Sequence, residues 1–175
     1  IFVVKIKNNM RVCILGSGLS ALTLAKALVN ENICIDIILS QKKYAVNNSR
    51  TIGISKSNFE FFNKNIIDIN KIVWKLRKIE IFTENLDKEK ILNFESNTDQ
   101  LFSIVKNFNL YGVLYKNLKS NKYKQKIKFI KKLSDINNYN LVINTDYRNS
   151  LTKKFFSKKI IKTYNSFAYT TIIHH

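Results

Sequence analysis

Apolar runs separated by polar turns divide the first part of the chain into alternating strands and helices. Arg11 to Leu15 is a short apolar run that ends at a glycine turn, and apolar residues then recur at helical spacing from Leu19 to Val29. The run from Ile33 to Leu39 is almost entirely apolar and rich in β-branched residues, as is typical of a buried parallel strand. We therefore predict a βαβ unit over residues 11–39.

A polar loop from Lys42 to Ser49 separates this unit from a second predicted helix. That helix carries Phe59 and Phe62 on one face, and Ser55 or Ser57 can cap its amino terminus. Farther along, polar and apolar residues alternate, which predicts an antiparallel insertion at about residues 76–100. Its two strands are residues 78–83 and 90–95.

Apolar runs return in the last part of the chain. Residues 110–114 are interpreted as a strand or as the start of a Lys-rich helix. Strands are predicted over Lys126 to Ile130, Tyr139 to Asn144 and Phe167 to Ile173. The whole pattern predicts an α/β, Rossmann-like fold with a βαβ start and an antiparallel insertion.

The composition changes the expected partners only slightly. A net charge of +18 makes nucleic acid and an anionic membrane surface candidate partners. However, abundant Lys, Asn and Ile with no Pro and only 4 Gly is what an AT-rich genome imposes, and the lysines are spread along the chain. We therefore expect no specific nucleic acid, and only weak association with an anionic membrane surface.

Cysteine and histidine usage indicates a reducing compartment and no metal site. Cys13 and Cys34 each lie in an apolar run, so both are expected to be buried thiols. Neither has metal-ligand spacing, and His174 and His175 lack a third ligand. No apolar stretch approaches the length of a spanning helix, so we expect a cytoplasmic protein, with peripheral association at the inner membrane as an option.

The turn between the first strand and helix has the spacing of a dinucleotide-binding loop. The first glycine permits a tight turn, the second lets a pyrophosphate approach the backbone, and the alanine allows close packing of helix on strand. Helix amide groups then hold the diphosphate, although a purely structural turn is the alternative. The candidate residues are Gly16, Ser17, Gly18, Leu19, Ser20 and Ala21.

The acidic residue that this fingerprint places at the end of the second strand is missing. Asp36 falls in the middle of the strand, and we expect it to be an exposed strand residue, with a ribose ligand as the alternative. Beyond Leu39, only Ser40 and Gln41 offer polar contacts to a ribose.

The order of motifs resembles the FAD-dependent hydroxylases of ubiquinone biosynthesis, which are relatives of para-hydroxybenzoate hydroxylase. Four stretches carry the resemblance, and it covers only the amino-terminal part of such an enzyme. They are Gly16 to Ala21, Arg50 to Ser55, Asp146 to Leu151 and Phe167 to His174.

The resemblance implies further contacts to the cofactor. It places Arg50 against the flavin, with an ordinary solvated loop arginine as the alternative. The family's Asp-Gly-x-x-Ser turn corresponds to Asp146 and Ser150, but Tyr147 replaces its glycine, and a plain Asx-type turn is the alternative. A looser match over residues 112–118 places a strand-to-helix entry there and puts Lys116 at a position that is often basic.

The resemblance also implies a function and a domain organisation. In the intact enzyme, NAD(P)H would reduce FAD, and O₂ would be used to hydroxylate a polyprenylated phenol. An FAD-binding domain would span residues 10–160 and a truncated substrate-binding domain 161–175, while residues 1–9 precede Met10 as an extra segment. The family's later Gly-Asp motif does not occur in this sequence, and no catalytic acid, base or nucleophile can be named.

Two alternatives remain open on the sequence. One is an NAD(P)-binding Rossmann protein, because the glycine turn serves both cofactors. The other is a non-catalytic basic interaction module that uses its charge of +18.

Overall fold

The computed structural model describes residues 10–39, 50–83, 89–97, 100–131, 133, 135–146, 148–149, 151, 154, 160 and 162–166. The chain divides into two compact units, one of residues 1–46 with 111–175 and one of residues 47–110. In chain order, the described α-helices and strands are β1 Arg11–Leu15, α1 Leu19–Asn30, β2 Cys34–Ile38, β3 Thr51–Ser55, α2 Lys56–Asn65, β4 Val73–Leu76, β5 Lys78–Phe82, β6 Lys90–Glu95, β7 Phe102–Lys106, α3 Asn107–Leu118, β8 Ile127–Ile130 and β9 Leu141–Asn144.

The first unit contains a four-stranded parallel sheet in the order β8-β2-β1-β9. Counted in chain order, this is the 3-2-1-4 order with which the Rossmann fold begins. Its central strands are buried because apolar side chains cover both faces, which explains the nearly continuous apolar runs. The predicted βαβ start and Rossmann-like fold are therefore confirmed.

Helix α1 packs against β1 and β2 through small and branched side chains. Ala21, Leu22 and Ala25 are completely buried, so the helix backbone lies close to the sheet. The helix ends at Asn30, and Asn32 takes the left-handed conformation with a φ of 64°. Asparagine tolerates that conformation better than most residues, so the chain can turn there from α1 towards β2.

The other face of the parallel sheet is also covered, and it contains an unexpected buried carboxylate. Cys13, Leu15 and Ile38 form a cluster there, onto which Tyr139 packs. Asp36 is only 4% exposed, so the expectation of an exposed strand residue is wrong. Its position in the second of four strands buries it, and two hydrogen-bond donors compensate for that burial.

The second unit is antiparallel. Strands β3, β7 and β4 form one sheet with β7 in the middle, and β5 and β6 form a separate hairpin. The hairpin matches the predicted pairing of residues 78–83 with 90–95, but β4 and β7 were not predicted. Of the two proposed caps for α2, Ser55 is the one used, since its side chain accepts a hydrogen bond from the Asn58 amide at 3.3 Å.

Two further expectations need correction. Cys34 is exposed rather than buried, because it is the first residue of β2 and lies at the rim of the sheet. Residues 110–118 are helical throughout, and the passage from strand to helix occurs earlier, between Lys106 and Asn107.

Other expectations lie outside the described residues. They are the polar loop from Lys42 to Ser49, the polar turn at 85–88 between the two strands of the insertion, residues 1–9 and the strand over Phe167 to Ile173. Within the described ranges, none of the helices has the length and apolar character that crossing a bilayer requires.

Candidate nucleotide-binding site

The glycine turn lies at a topological switch point of the parallel sheet. From β1 the chain turns through α1 to β2 on one side, whereas β9 pairs with β1 on the other side. The carboxyl ends of these strands lie at the same edge of the sheet, because the strands are parallel. Ligands of open α/β sheets bind at such an edge, next to the strand where the order reverses.

Gly16 is required by the backbone at this position. Its φ is +116°, a conformation that side chains rarely allow, and its amide donates to the Ile38 carbonyl at 3.1 Å. A Cβ atom at residue 16 would lie 2.6 Å from Thr145 Oγ1 and 3.1 Å from Asp146 Cβ. The turn after β1 and the turn after β9 are therefore in direct contact, which only a glycine permits.

The first turn of α1 offers amide groups to an anion. Gly18 is the N-cap residue and has no side chain, so it makes no side-chain capping bond. The helical bonding starts with Leu22 N–H donating to the Gly18 carbonyl at 3.0 Å, which leaves the preceding amides without helical acceptors. The first turn carries no acidic residue, so nothing on it repels a phosphate.

The side chains of the turn divide into packing and exposed positions. Ser17 is 8% exposed and Ala21 is fully buried against the sheet. Ser20 is exposed in the first turn of α1, so a substitution there can test whether an anion binds at this helix terminus.

Asp146 is the second sequence-predicted residue that the fold brings to this place. Its Oδ1 accepts from the Arg148 amide at 3.0 Å, which is an Asx turn, and its own amide donates to Asn144 Oδ1 at 3.0 Å. This turn fixes the carboxylate after β9, next to Gly16.

Sequence reasoning missed Thr145, which ties the two turns together. Its amide and its hydroxyl both donate to the Leu15 carbonyl, at 2.9 Å and 2.8 Å. A threonine after a buried strand is a weak signal by itself, and only the pairing of β9 with β1 gives it this role.

Asp36 cannot serve as the ribose ligand of the fingerprint. Its Oδ2 accepts from Arg11 Nη2 at 2.8 Å and from the Tyr139 hydroxyl at 2.7 Å. Both partners hold it in the middle of the sheet, two residues before β2 ends.

The remaining candidates lie on other elements or outside the described residues. Lys116 is exposed in the last turn of α3. Arg50 is exposed in the other unit, where its carbonyl accepts from the Asn107 amide at 2.9 Å. Ser40, Gln41 and Ser150 lie outside the described residues, as does Tyr147.

Within the described residues, no group of three His, Cys, Asp or Glu side chains could hold a metal ion. The chemistry available at the switch point is anion binding by the backbone amides at the start of α1, where the N-cap residue Gly18 carries no side chain. That chemistry fits the diphosphate of a dinucleotide.

No protein-family model matches the sequence, and no curated protein matches it. Solved structures do share its fold at low sequence identity. The p-nitrophenol 4-monooxygenase of Pseudomonas putida is 14% identical with a TM-score of 0.56, over 72% of this chain and 32% of its own. A protein of Photorhabdus luminescens described as an FAD-containing monooxygenase is 13% identical with a TM-score of 0.57, over 85% of this chain and 43% of its own.

A third structure, FqzB, is 15% identical with a TM-score of 0.55, over 86% of this chain and 39% of its own. The chain therefore spans less than half the length of these proteins. Its fold is the Rossmann-like fold of FAD-binding monooxygenases.

Proposed function

We propose that this chain forms the FAD-binding part of a flavin-dependent hydroxylase that acts on a small aromatic ring. The observation that carries the proposal is the contact between the glycine turn after β1 and the Asp146 turn after β9. Two motifs that are 130 residues apart meet at the switch point where a dinucleotide binds, and the fold is that of FAD-binding monooxygenases.

The protein's own residues bind and orient the cofactor in this proposal. The first-turn amides of α1 hold the diphosphate, and Gly16 and Gly18 keep the backbone free of side chains. Ser40 or Gln41 contacts the ribose, while Arg50 and Ser150 make further contacts to FAD. When bound, FAD supplies the redox and oxygen chemistry, and the residues around it exclude water.

We also propose which reductant and which substrate the hydroxylase uses. The motif order supports a hydroxylase like those of ubiquinone biosynthesis, with NAD(P)H as reductant and a polyprenylated phenol as substrate. One structure of the same fold is named for a phenol, p-nitrophenol, which supports an aromatic substrate. Because the chain covers only 32–43% of the compared proteins, hydroxylation requires residues beyond the FAD-binding part.

Flavin titration of a matched pair of Ser20 variants tests the proposal. We expect the wild-type protein to change the FAD absorption spectrum and to melt at a higher temperature with FAD present. Ser20→Glu puts a negative charge in the first turn of α1, where it favours the helix dipole but repels a diphosphate. FAD should then bind about tenfold more weakly or worse, while the melting temperature without ligand stays equal or rises.

Ser20→Gln is the control, because it has nearly the same size without the charge, and it should bind FAD like the wild type. If Ser20→Glu and Ser20→Gln bound FAD with equal affinity, the amino terminus of α1 would not be part of the FAD-binding site. No spectral or thermal response of the wild type to FAD would overturn the proposal.

An NAD(P)-binding Rossmann protein is the second candidate, because the glycine turn and strand order serve both cofactors. The same titrations with NADH and NADPH separate the two. A thermal response to a nicotinamide cofactor without one to FAD would establish this candidate instead.

A further inference from the structure

Lysines occur along the whole chain, and one segment of the first unit combines many lysines with the absence of acidic residues. Residues 116–131 contain seven lysines and no acidic residue, although the chain as a whole has 12 Asp and Glu. Four of these lysines lie in the connection between α3 and β8. This group, called the basic edge below, consists of Lys119, Lys122, Lys124 and Lys126.

The basic edge lies at the amino-terminal side of the parallel sheet. It directly precedes β8, whose strand begins at Ile127. Lys126 Nζ donates to Asn32 Oδ1 at 2.6 Å, and Asn32 in turn lies just before β2. Since all four strands are parallel, their starts share one edge, and the glycine turn lies at the opposite edge.

Side chains beneath the basic edge hold it in place. Lys26 of α1 is 4% exposed, and its Nζ donates to the Tyr123 hydroxyl at 2.9 Å and also to Asn30. This hydrogen bond is the main cause that lowers the pKa of Tyr123. The connection between α3 and β8 is thereby attached to the end of α1, and the lysines around it project from a structured surface.

The aromatic rings at this edge are covered by lysines. Lys119 Nζ lies 4.6 Å from the ring centre of Tyr115 and 5.7 Å from that of Phe129. Tyr123 is only 6% exposed, and Lys122 Nζ lies 5.3 Å from its ring centre. The bases of single-stranded nucleic acids stack on exposed aromatic rings. The lysines cover these rings, so the surface is poorly suited to base stacking.

We propose that the basic edge is a docking surface for the anionic headgroups of a lipid bilayer. Clusters of four to eight basic residues bind such surfaces through accumulated charge, without a shaped pocket. The cluster contains only lysines, which act as point charges, and lacks the forked guanidinium groups that favour paired contacts to nucleic-acid phosphates. The neighbouring turn adds one exposed acid, Glu31, so the local charge stays positive.

Docking at this edge leaves the glycine turn at the opposite edge free. The inference does not rest on the proposed FAD-binding function, since it uses different residues. The two fail independently, because FAD titration reports on one and vesicle binding on the other.

Vesicle co-sedimentation at low ionic strength tests the docking surface. We expect the full chain to sediment with vesicles of phosphatidylglycerol and phosphatidylcholine, and not with phosphatidylcholine alone. The combined variant Lys119→Gln, Lys122→Gln and Lys124→Gln should bind the anionic vesicles about 100-fold more weakly. Its response to FAD should match that of the wild type, and its melting temperature should equal or exceed that of the wild type, because removing three lysines lowers the charge repulsion.

The matched control changes three exposed lysines of the other unit, as Lys64→Gln, Lys71→Gln and Lys75→Gln. It loses the same net charge and should keep its vesicle binding within about threefold of the wild type, because the proposal assigns the contact with lipid to the basic edge. Equal loss in both variants would show that only net charge matters and would overturn the proposal.

Two other results would also overturn it. One is the absence of sedimentation with anionic vesicles. The other is tighter binding of a single-stranded oligonucleotide than of the vesicles at the same salt concentration, which would identify nucleic acid as the partner.

Discussion

At the scale of single residues, the carboxylate of Asp36 organises the face of the sheet opposite α1. It joins β2 to Arg11 of β1 and to Tyr139, and the Arg11 guanidinium lies 5.5 Å from the Tyr139 ring centre. Burial, followed by the nearby Asp36 charge, raises the pKa of Cys13 to about 11. The charge of Asp36 is thus balanced by donors, and the adjacent thiol and phenol are kept neutral.

This cluster predicts a loss of stability at high pH. Burial, then the hydrogen bond to Asp36, raises the pKa of Tyr139 from 10.0 to about 12. Between these pH values the unfolded chain loses the proton while the folded chain keeps it, so the contribution to stability is complete below pH 10 and disappears towards pH 12. We expect Tyr139→Phe to lower the slope of the unfolding free energy over this range, measured by urea denaturation.

The matched control is Tyr164→Phe, because the Tyr164 side chain is 68% exposed. This variant should keep the wild-type slope. If Tyr139→Phe also kept it, the buried phenol would not be the group responsible.

At the scale of elements, two glycines have opposite roles. Gly16 ends β1 with a φ of +116°, in contact with Thr145 and Asp146. Gly112 lies inside α3, and a Cβ atom there would have no atom within 4 Å. One glycine permits a contact between two strand ends, whereas the other only weakens a helix.

These positions predict changes of opposite sign. Gly16→Ala should lower the unfolding free energy by about 3 kcal/mol, through backbone strain and overlap with Thr145. Gly112→Ala should raise it by about 0.5–1 kcal/mol, because alanine favours the helix and has room there. Urea denaturation measures both, and a neutral Gly16→Ala would contradict the assigned turn.

Elements with a strong local pattern could be predicted from the sequence. The strands β1 and β2 and the helix α1 have long apolar periodicity and clear breaks, so their bounds are close to the expected ones. Strands β4 and β7 were not predicted because their short sequences lack a clear alternation of apolar and polar residues. Their extended conformation depends on pairing with neighbouring strands of the sheet.

At the scale of the whole molecule, the net charge of +18 opposes compaction. With 30 Lys and Arg against 12 Asp and Glu, pairing with acidic side chains can neutralise only a minority of the basic ones. Repulsion between lysines therefore acts across the whole surface.

This repulsion predicts that salt stabilises the protein. Raising KCl from about 0.05 to about 0.5 M shortens the Debye length to less than half and screens the repulsion. We expect the melting temperature to rise by several degrees, as measured by circular dichroism. The variant with Lys119, Lys122 and Lys124 changed to Gln should gain less from salt, and a melting temperature that falls with added KCl would contradict this account.

The sequence by itself determined the βαβ start and the glycine turn, because periodicity and turn geometry are local properties. Only the tertiary structure decided that Asp36 is buried and that Cys34 is exposed. It also decided that Asp146 meets Gly16, because strand order joins residues that no local pattern connects. Burial and contact depend on which strands become neighbours, and that choice is made by the packing of the whole sheet.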